Sequence, residues 1–174
     1  MLNVNPEHLV VRALGVADAP EFLRVVQSNR EHLAQWLDTP SRIHSLGSAE
    51  HAMRDVRSNG SPARCGAFHG TELVGAAKVI ESRPPDTGVE VGLWVAKAWS
   101  GRGVGRWLAA SMIEKLRASD DIPVTMRYEI GNESSRRMIE ALGMKFGRRF
   151  ADPESGRTFV AYFADDSNRK LDRP

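Results

Sequence analysis

Gly101, Gly103 and Gly105, interleaved with Arg102 and Val104 and followed by Arg106, form the stretch of this chain best suited to hold a charged ligand. Glycines at alternate positions let the backbone close around an anion without β-carbons in the way, and the arginines add charged donors. A helix N-terminus carries backbone N–H groups with no intrahelical partner and a dipole that favours negative charge, so phosphate is the ligand such a turn suits. Two known phosphate motifs are excluded by their own spacing. A P-loop ends Gly-Lys-Ser/Thr where this run ends Gly105-Arg106-Trp107, and a dinucleotide fingerprint needs a glycine where Arg106 stands. The plainer reading, glycines that only turn the chain and cap a helix, leaves both arginines without a role.

The surrounding pattern supplies the strand and helix that this turn requires. Gly88 to Val95 alternates as a strand does, and a helix over 103–118 carries Val104, Leu108, Met112 and Leu116 at fourfold spacing beside Ala109 and Ile113. Upstream, Leu9 to Leu14 reads as a strand, and Asp18 is placed to cap a helix bearing Phe22, Leu23, Val25 and Val26. A helical piece over Glu31 to Leu37 ends before Pro40, and Ser48 is expected to cap another over Ala49 to Ser58, closed by Asn59-Gly60. Arg64 to His69 and Glu72 to Glu81 read as a hairpin turning at Gly70-Thr71, followed by a loop at Arg83-Pro84-Pro85-Asp86. After the 103–118 helix come a strand over Val124 to Ile130 and a helix opened by Asn132, with Met138, Ile139 and Leu142 inward and Gly143 as its stop. Met144 to Phe150 and Arg157 to Phe163 make a closing hairpin, and the polar tail 165–174 is expected to fray. With no internal repeat or linker, one α/β domain over 1–174 is expected, its core at about 8–164.

Composition sets the outer limits. The apolar fraction of 41% is ordinary for a globular protein of 174 residues. A formal charge of +2, with acidic and basic residues interleaved, gives no reason to expect nucleic acid as a partner. The first residues lack a basic region and an apolar core, and no apolar run approaches the length of a membrane span, so a cytoplasmic protein without a membrane partner is expected. Cys65 is the single cysteine, which excludes an internal disulfide and favours a buried, inert thiol. The histidines, His8, His32, His44, His51 and His69, have no metal-ligand spacing, and no metal is expected.

Gly101-Arg102-Gly103-Val104-Gly105 after a strand, then a further strand and the segment Asn132-Glu133-Ser134-Ser135 to Gly143-Met144, resemble the GNAT superfamily of acetyl-CoA-dependent N-acetyltransferases. The Asn132-x-x-Ser135 spacing and the earlier segment Asn29 to Leu37 are similar to its ribosomal-protein N-terminal acetyltransferase branch, the RimJ/RimL type. The resemblance implies a mixed α+β fold: a splayed, mostly antiparallel sheet of about seven strands flanked by helices. It further implies that acetyl-CoA lies with its pyrophosphate on Gly101, Arg102, Gly103, Val104, Gly105 and Arg106 and pairs its pantetheine arm with the backbone of Leu93, Trp94 and Val95. Asn132 is then expected to hold the pantetheine from the other side, with the Ser135 hydroxyl near the sulfur. One departure is plain: where the family usually has Gln or Arg, this chain has Ser100.

Aminolysis of a thioester needs a base for the amine proton, donors for the tetrahedral oxyanion and an acid for the departing thiolate. Glu90 is the candidate base. In Val89 to Val95 the valines and leucine share one face, which puts Glu90, Gly92 and Trp94 on the other, lining a cleft or water, where desolvation raises a carboxylate's pKa. A solvent-facing glutamate, or one paired with an arginine, fits the same pattern. By family analogy a backbone N–H at Trp94 or Val95 polarises the thioester carbonyl. Ser135 is the candidate acid, since the tyrosine that many members carry four residues further along is Ile139 here. Asn132 and Ser135 are equally what a plain helix cap contains.

The resemblance also implies an acceptor site built by the first helices and the last hairpin, which makes Trp36, Arg83, Arg149 and Tyr162 its candidate lining, Trp36 being open to a core role as well. An open groove suits a protein N-terminus, and branch resemblance favours a peptide or protein α-amine. A closed pocket suits a small amine such as an amino acid, polyamine or aminoglycoside. A module that senses acetyl-CoA without turning it over would share the glycine turn but have no need of Glu90 or Ser135. The edge strands of the closing hairpin permit a homodimer without requiring one.

Overall fold

The structure is a computed structural model, and it describes residues 8–57, 59–60, 62–81, 88–119, 123–153 and 155–164. Arg83, the loop at 83–86 and the tail 165–174 lie outside the described residues. The strands are β1 (Leu9–Ala13), β2 (Arg64–His69), β3 (Glu72–Glu81), β4 (Val89–Val95), β5 (Val124–Glu129), β6 (Lys145–Ala151) and β7 (Thr158–Phe163). They form one seven-stranded sheet in the order β1-β2-β3-β4-β5-β7-β6. β1 with β2, β2 with β3, β5 with β7 and β6 with β7 run antiparallel, whereas β4 and β5 run parallel. The mixed, open, helix-flanked sheet expected from the sequence is therefore the architecture found. Among the described residues the β4–β5 ladder consists of Val89↔Val124 and Glu90↔Thr125, although both strands run on past it.

The helices are α1 (Ala19–Ser28), α2 (Arg30–Ala34), α3 (Thr39–Arg42), α4 (Leu46–Met53), α5 (Val104–Ser119) and α6 (Glu133–Ala141). None is long and apolar enough to cross a membrane. Three local expectations are corrected. Asp18 stands at the cap position of α1 but does not cap with its side chain: the carboxylate accepts from the Gly15 amide at 2.9 Å and from Arg12 at 2.6 and 2.9 Å. A bidentate guanidinium outcompetes the helix amides for those oxygens. α4 begins at Leu46 and ends at Met53, because Ser45 is the cap: its hydroxyl accepts from the Ser48 amide while Ser48 accepts from the Ser45 amide, a reciprocal box that closes three residues earlier than expected. Pro40 does not end a helix but sits in the first turn of α3, where its missing N–H leaves no bond unmade, and α2 stops at Ala34 rather than Leu37.

The described residues fall into two compact units. The first holds residues up to Lys78 together with Leu93–Leu108. Its core gathers Leu14, Phe22, Val26, Leu33, Phe68, Leu73 and Trp94. Gly75 is required there: a β-carbon would lie 2.7 Å from the Trp94 carbonyl oxygen, so only glycine lets the backbones of β3 and β4 approach this closely. Cys65 is buried in β2, as expected. The second unit holds Val79–Gly92 and the chain from Ala109 onward. Val89, Val91, Val124, Met126, Ile139 and Val160 are buried in it. The expected helical stripe, Val104, Leu108, Ala109, Met112, Ile113 and Leu116, is buried along the whole of α5.

Candidate active site

In the first unit, β4 ends at Val95 and a short 3-10 turn, Lys97–Trp99, leads into the glycine run. Gly101 and Gly103 adopt φ of 73° and 86°, left-handed conformations that favour glycine, and around neither would a β-carbon meet any atom within 4 Å. The glycines are thus demanded by backbone direction and not by crowding. The Gly103 carbonyl accepts the first helical bond of α5, from the Trp107 amide at 3.0 Å, so the amides of Val104, Gly105 and Arg106 occupy the first turn, where helix geometry supplies no partner. Gly101, Arg102, Gly103 and Arg106 are exposed. The turn is held from elsewhere in its unit and from within: the Lys97 amide donates to Asn29 Oδ1 at 2.8 Å, and the Ser100 hydroxyl lies 3.4 Å from His32 Nε2 and donates to the Ala96 carbonyl of the turn itself at 3.2 Å. Ser100, the departure from the family pattern, therefore serves the turn's own geometry.

Leu93 and Val95 are half-buried, but Trp94 does not line a cleft or water as expected of its face. Its side chain is 7% exposed, with its ring centroid 5.7 Å from that of Phe22. The indole belongs to the core, which leaves its main chain as the part able to serve a ligand. Trp36 is half-buried just beyond α2.

In the second unit, Glu90 Oε1 pairs with Arg127 Nε at 3.0 Å, and the glutamate side chain is 23% exposed. The glutamate is thus both partly desolvated and paired with an arginine. Burial pushes its pKa above the ordinary carboxylate value, the charge and hydrogen bond of Arg127 pull the other way, and burial wins. Arg127 is itself seated 4.8 Å over the ring of Phe159. The Thr125 hydroxyl donates to the Val89 carbonyl at 3.1 Å, fixing the strand beside Glu90.

Asn132 is the cap of α6: its Oδ1 accepts from the Ser135 amide at 3.1 Å. The oxygen is thus committed to the helix, and the carboxamide N–H groups are what it can offer a ligand. Ser135 is half-buried in the first turn. Tyr162 is buried, with its ring against Tyr128 and Phe146 and its hydroxyl donating to Glu140 of α6 at 3.2 Å. The residue expected to line an acceptor site thereby also ties β7 to the helix that carries Ser135. Arg149 is exposed on β6. Two residues of this arrangement escaped the sequence reading. Arg127 shows only as one polar position in an alternating strand, and its pairing with Glu90 depends on a parallel register that no local signal sets. Trp99 adjoins the glycine run, but its ring partners come from the β2–β3 hairpin.

A turn of left-handed glycines opening a long helix suits a phosphate-bearing ligand. Residues 8–145 match the acetyltransferase (GNAT) domain, and the chain belongs to the GNAT acetyltransferase family. It is an acetyltransferase. Among curated proteins, the Bacillus subtilis (strain 168) protein named "Putative ribosomal N-acetyltransferase YdaF" is 27% identical over 149 residues, 79% of this chain and 78% of the relative. Among solved structures, a ribosomal-protein-S5-alanine acetyltransferase from Vibrio fischeri matches with a TM-score of 0.80 at 17% identity, covering 95% of this chain and 98% of the other. RimL, a ribosomal L7/L12 alpha-N-protein acetyltransferase in complex with coenzyme A, matches with a TM-score of 0.78 at 18% identity, covering 90% and 93%. At such identities the structures speak to the fold alone.

Proposed function

We propose that this acetyltransferase takes its acetyl group from acetyl-CoA and passes it by direct attack, in a ternary complex, to the α-amine of a protein or peptide. The observation that carries the donor is the turn at Gly101–Gly103, with its two left-handed glycines and exposed Arg102 and Arg106, leading into the first turn of α5, whose amides helix geometry leaves without an intrahelical partner. RimL, bound to coenzyme A in its solved form, supports the same donor, and the ribosomal acetyltransferases among the relatives support the acceptor and a cytoplasmic setting. The family match spans residues of both units, which supports reading the whole chain as one acetyltransferase domain.

In this reading the amides and arginines of 101–106 bind the diphosphate, main-chain groups of Leu93, Trp94 and Val95 pair with the pantetheine, and the Asn132 carboxamide donates to it. Glu90 accepts the amine proton, directly or through water, which its raised pKa suits. The amine nitrogen attacks the acetyl carbon, the backbone N–H of Trp94 or Val95 faces the developing oxyanion, the C–S bond breaks, and the Ser135 hydroxyl protonates the leaving sulfur. Trp36 and Tyr162 line the acceptor's path.

The test is calorimetry with acetyl-CoA, followed by CoA release against a panel of ribosomal-protein N-terminal peptides and small amines, repeated with Glu90→Gln and Ser135→Ala. Turnover of peptides with both variants impaired is expected. Absence of binding heat and thermal shift removes the donor assignment, turnover confined to small amines removes the acceptor, binding without any turnover marks a sensor, and parental rates in both variants remove the catalytic roles.

A further inference from the structure

We propose that Trp99 is a positioning residue for the anion-binding turn, holding the Arg102 guanidinium in place and tying it to the tip of the β2–β3 hairpin. The inference rests on the reading of Gly101–Arg106 as the phosphate site of acetyl-CoA. Trp99 closes the 3-10 turn two residues before Gly101 and is packed, partly buried, against the core of the first unit. The Arg102 guanidinium carbon lies 5.5 Å from the centroid of the Trp99 ring, within the range of a cation–π contact. The His69 ring is 4.9 Å from the Trp99 ring, centroid to centroid. The indole Nε1–H donates to Glu72 Oε1 at 3.3 Å. His69 and Glu72 are cross-strand partners on either side of the Gly70-Thr71 turn, so both anchors of the indole come from one hairpin tip.

The residue type follows from this arrangement, because among side chains an indole joins the broadest π-face to an edge N–H donor. An exposed arginine beside glycines would otherwise sample many rotamers and lose that freedom on gripping a phosphate. Resting against an anchored ring, Arg102 has already lost part of it, and that share no longer weighs against binding. The chain just before Trp99 is fixed independently, by Asn29 Oδ1 accepting from the Lys97 amide.

The experiment uses the full chain and coenzyme A as the titrant, with Trp99→Leu, Trp99→Phe, Arg102→Met and the double variant Trp99→Leu/Arg102→Met measured by calorimetry. Trp99→Leu is expected to weaken CoA binding about fivefold, and Trp99→Phe, which keeps a ring face, to stay within about twofold of the parent. With Arg102 already replaced, Trp99→Leu should add less than about twofold, because its partner is gone. Parental affinity for Trp99→Leu, or full additivity in the double variant, overturns the proposal. If Arg102→Met itself binds as the parent does, the phosphate-site reading fails; if Arg102→Met is weakened and Trp99→Leu is not, only the role of Trp99 fails. Should Trp99→Leu not fold, His69→Ala at the exposed hairpin tip carries the same test: weaker CoA binding supports the proposal and parental binding overturns it.

Discussion

Replacing Arg127 with methionine should move the acid limb of the pH–rate profile to higher pH. Arg127 favours the ionised form of Glu90 through charge and a hydrogen bond, against a larger desolvation that favours the neutral form. With the guanidinium gone, desolvation acts unopposed, the carboxylate binds its proton more tightly, and less of the base form exists at any pH below the plateau. Two unit charges about 4 Å apart attract by about 4 kcal/mol at an effective dielectric constant of roughly 20. The Arg127 side chain is 38% exposed, so solvent screening reduces that figure to the order of 1 kcal/mol. That is about a fivefold loss of kcat/KM on the acid limb and no loss on the plateau above it. The assay is initial CoA release across pH at limiting acetyl-CoA and acceptor, with Arg127→Lys as the charge-retaining control, which should lie close to the parent. A limb that stays in place or moves to lower pH would refute the reasoning. So would the same limb surviving in Glu90→Gln.

Three further outcomes follow from single residues. Gly103→Ala should cost about 1 kcal/mol of stability and weaken acetyl-CoA binding, because φ is 86° there, while Gly103→Asn, which tolerates that conformation better, should cost less; thermal melts and calorimetry check both. Asn132→Ala should lose about 1 kcal/mol by removing the α6 cap, whereas Asn132→Asp keeps the cap and loses the amide donor, so its melt should match the parent while its CoA affinity falls; equal affinities would show the carboxamide to be a cap alone. Asp18→Asn should destabilise by about 1 kcal/mol at neutral pH, because the hydrogen bonds and charge of Arg12 hold the Asp18 pKa below the ordinary value. That contribution is present above the unfolded-state pKa and disappears as pH falls through the lower folded-state value, so parent and variant melts should converge in strong acid.

The sequence made the site's backbone legible and left its side-chain partners hidden. The glycine run and the stripe of α5 are local signals: one needs only left-handed φ, the other only helical periodicity, and both are found where expected. Asn132 and Gly143 likewise mark the two ends of α6 from their own residue types, Gly143 with a φ of 72°. Asp18 and Ser48 carry the same kind of signal and mislead, because a serine or aspartate near a helix start has several acceptors within reach. Arg12 lies six residues from Asp18 and Ser45 three from Ser48, and those neighbours decide which bond forms.

Trp94 shows where alternation stops being informative. A strand with one face in water must alternate, but β4 is an interior strand flanked by β3 and β5, and both of its faces are covered along part of its length. Val89, Val91 and Trp94 are all buried, so the period of two breaks between Leu93 and Trp94. Glu90 keeps the place that the pattern gave it because its charge finds Arg127, while Trp94 has no such claim and follows its area into the core. The division fits the chemistry proposed for this strand. A pantetheine arm that pairs with main-chain atoms asks nothing of the Trp94 side chain, so the same residue can anchor the core with its indole while its peptide groups face the ligand.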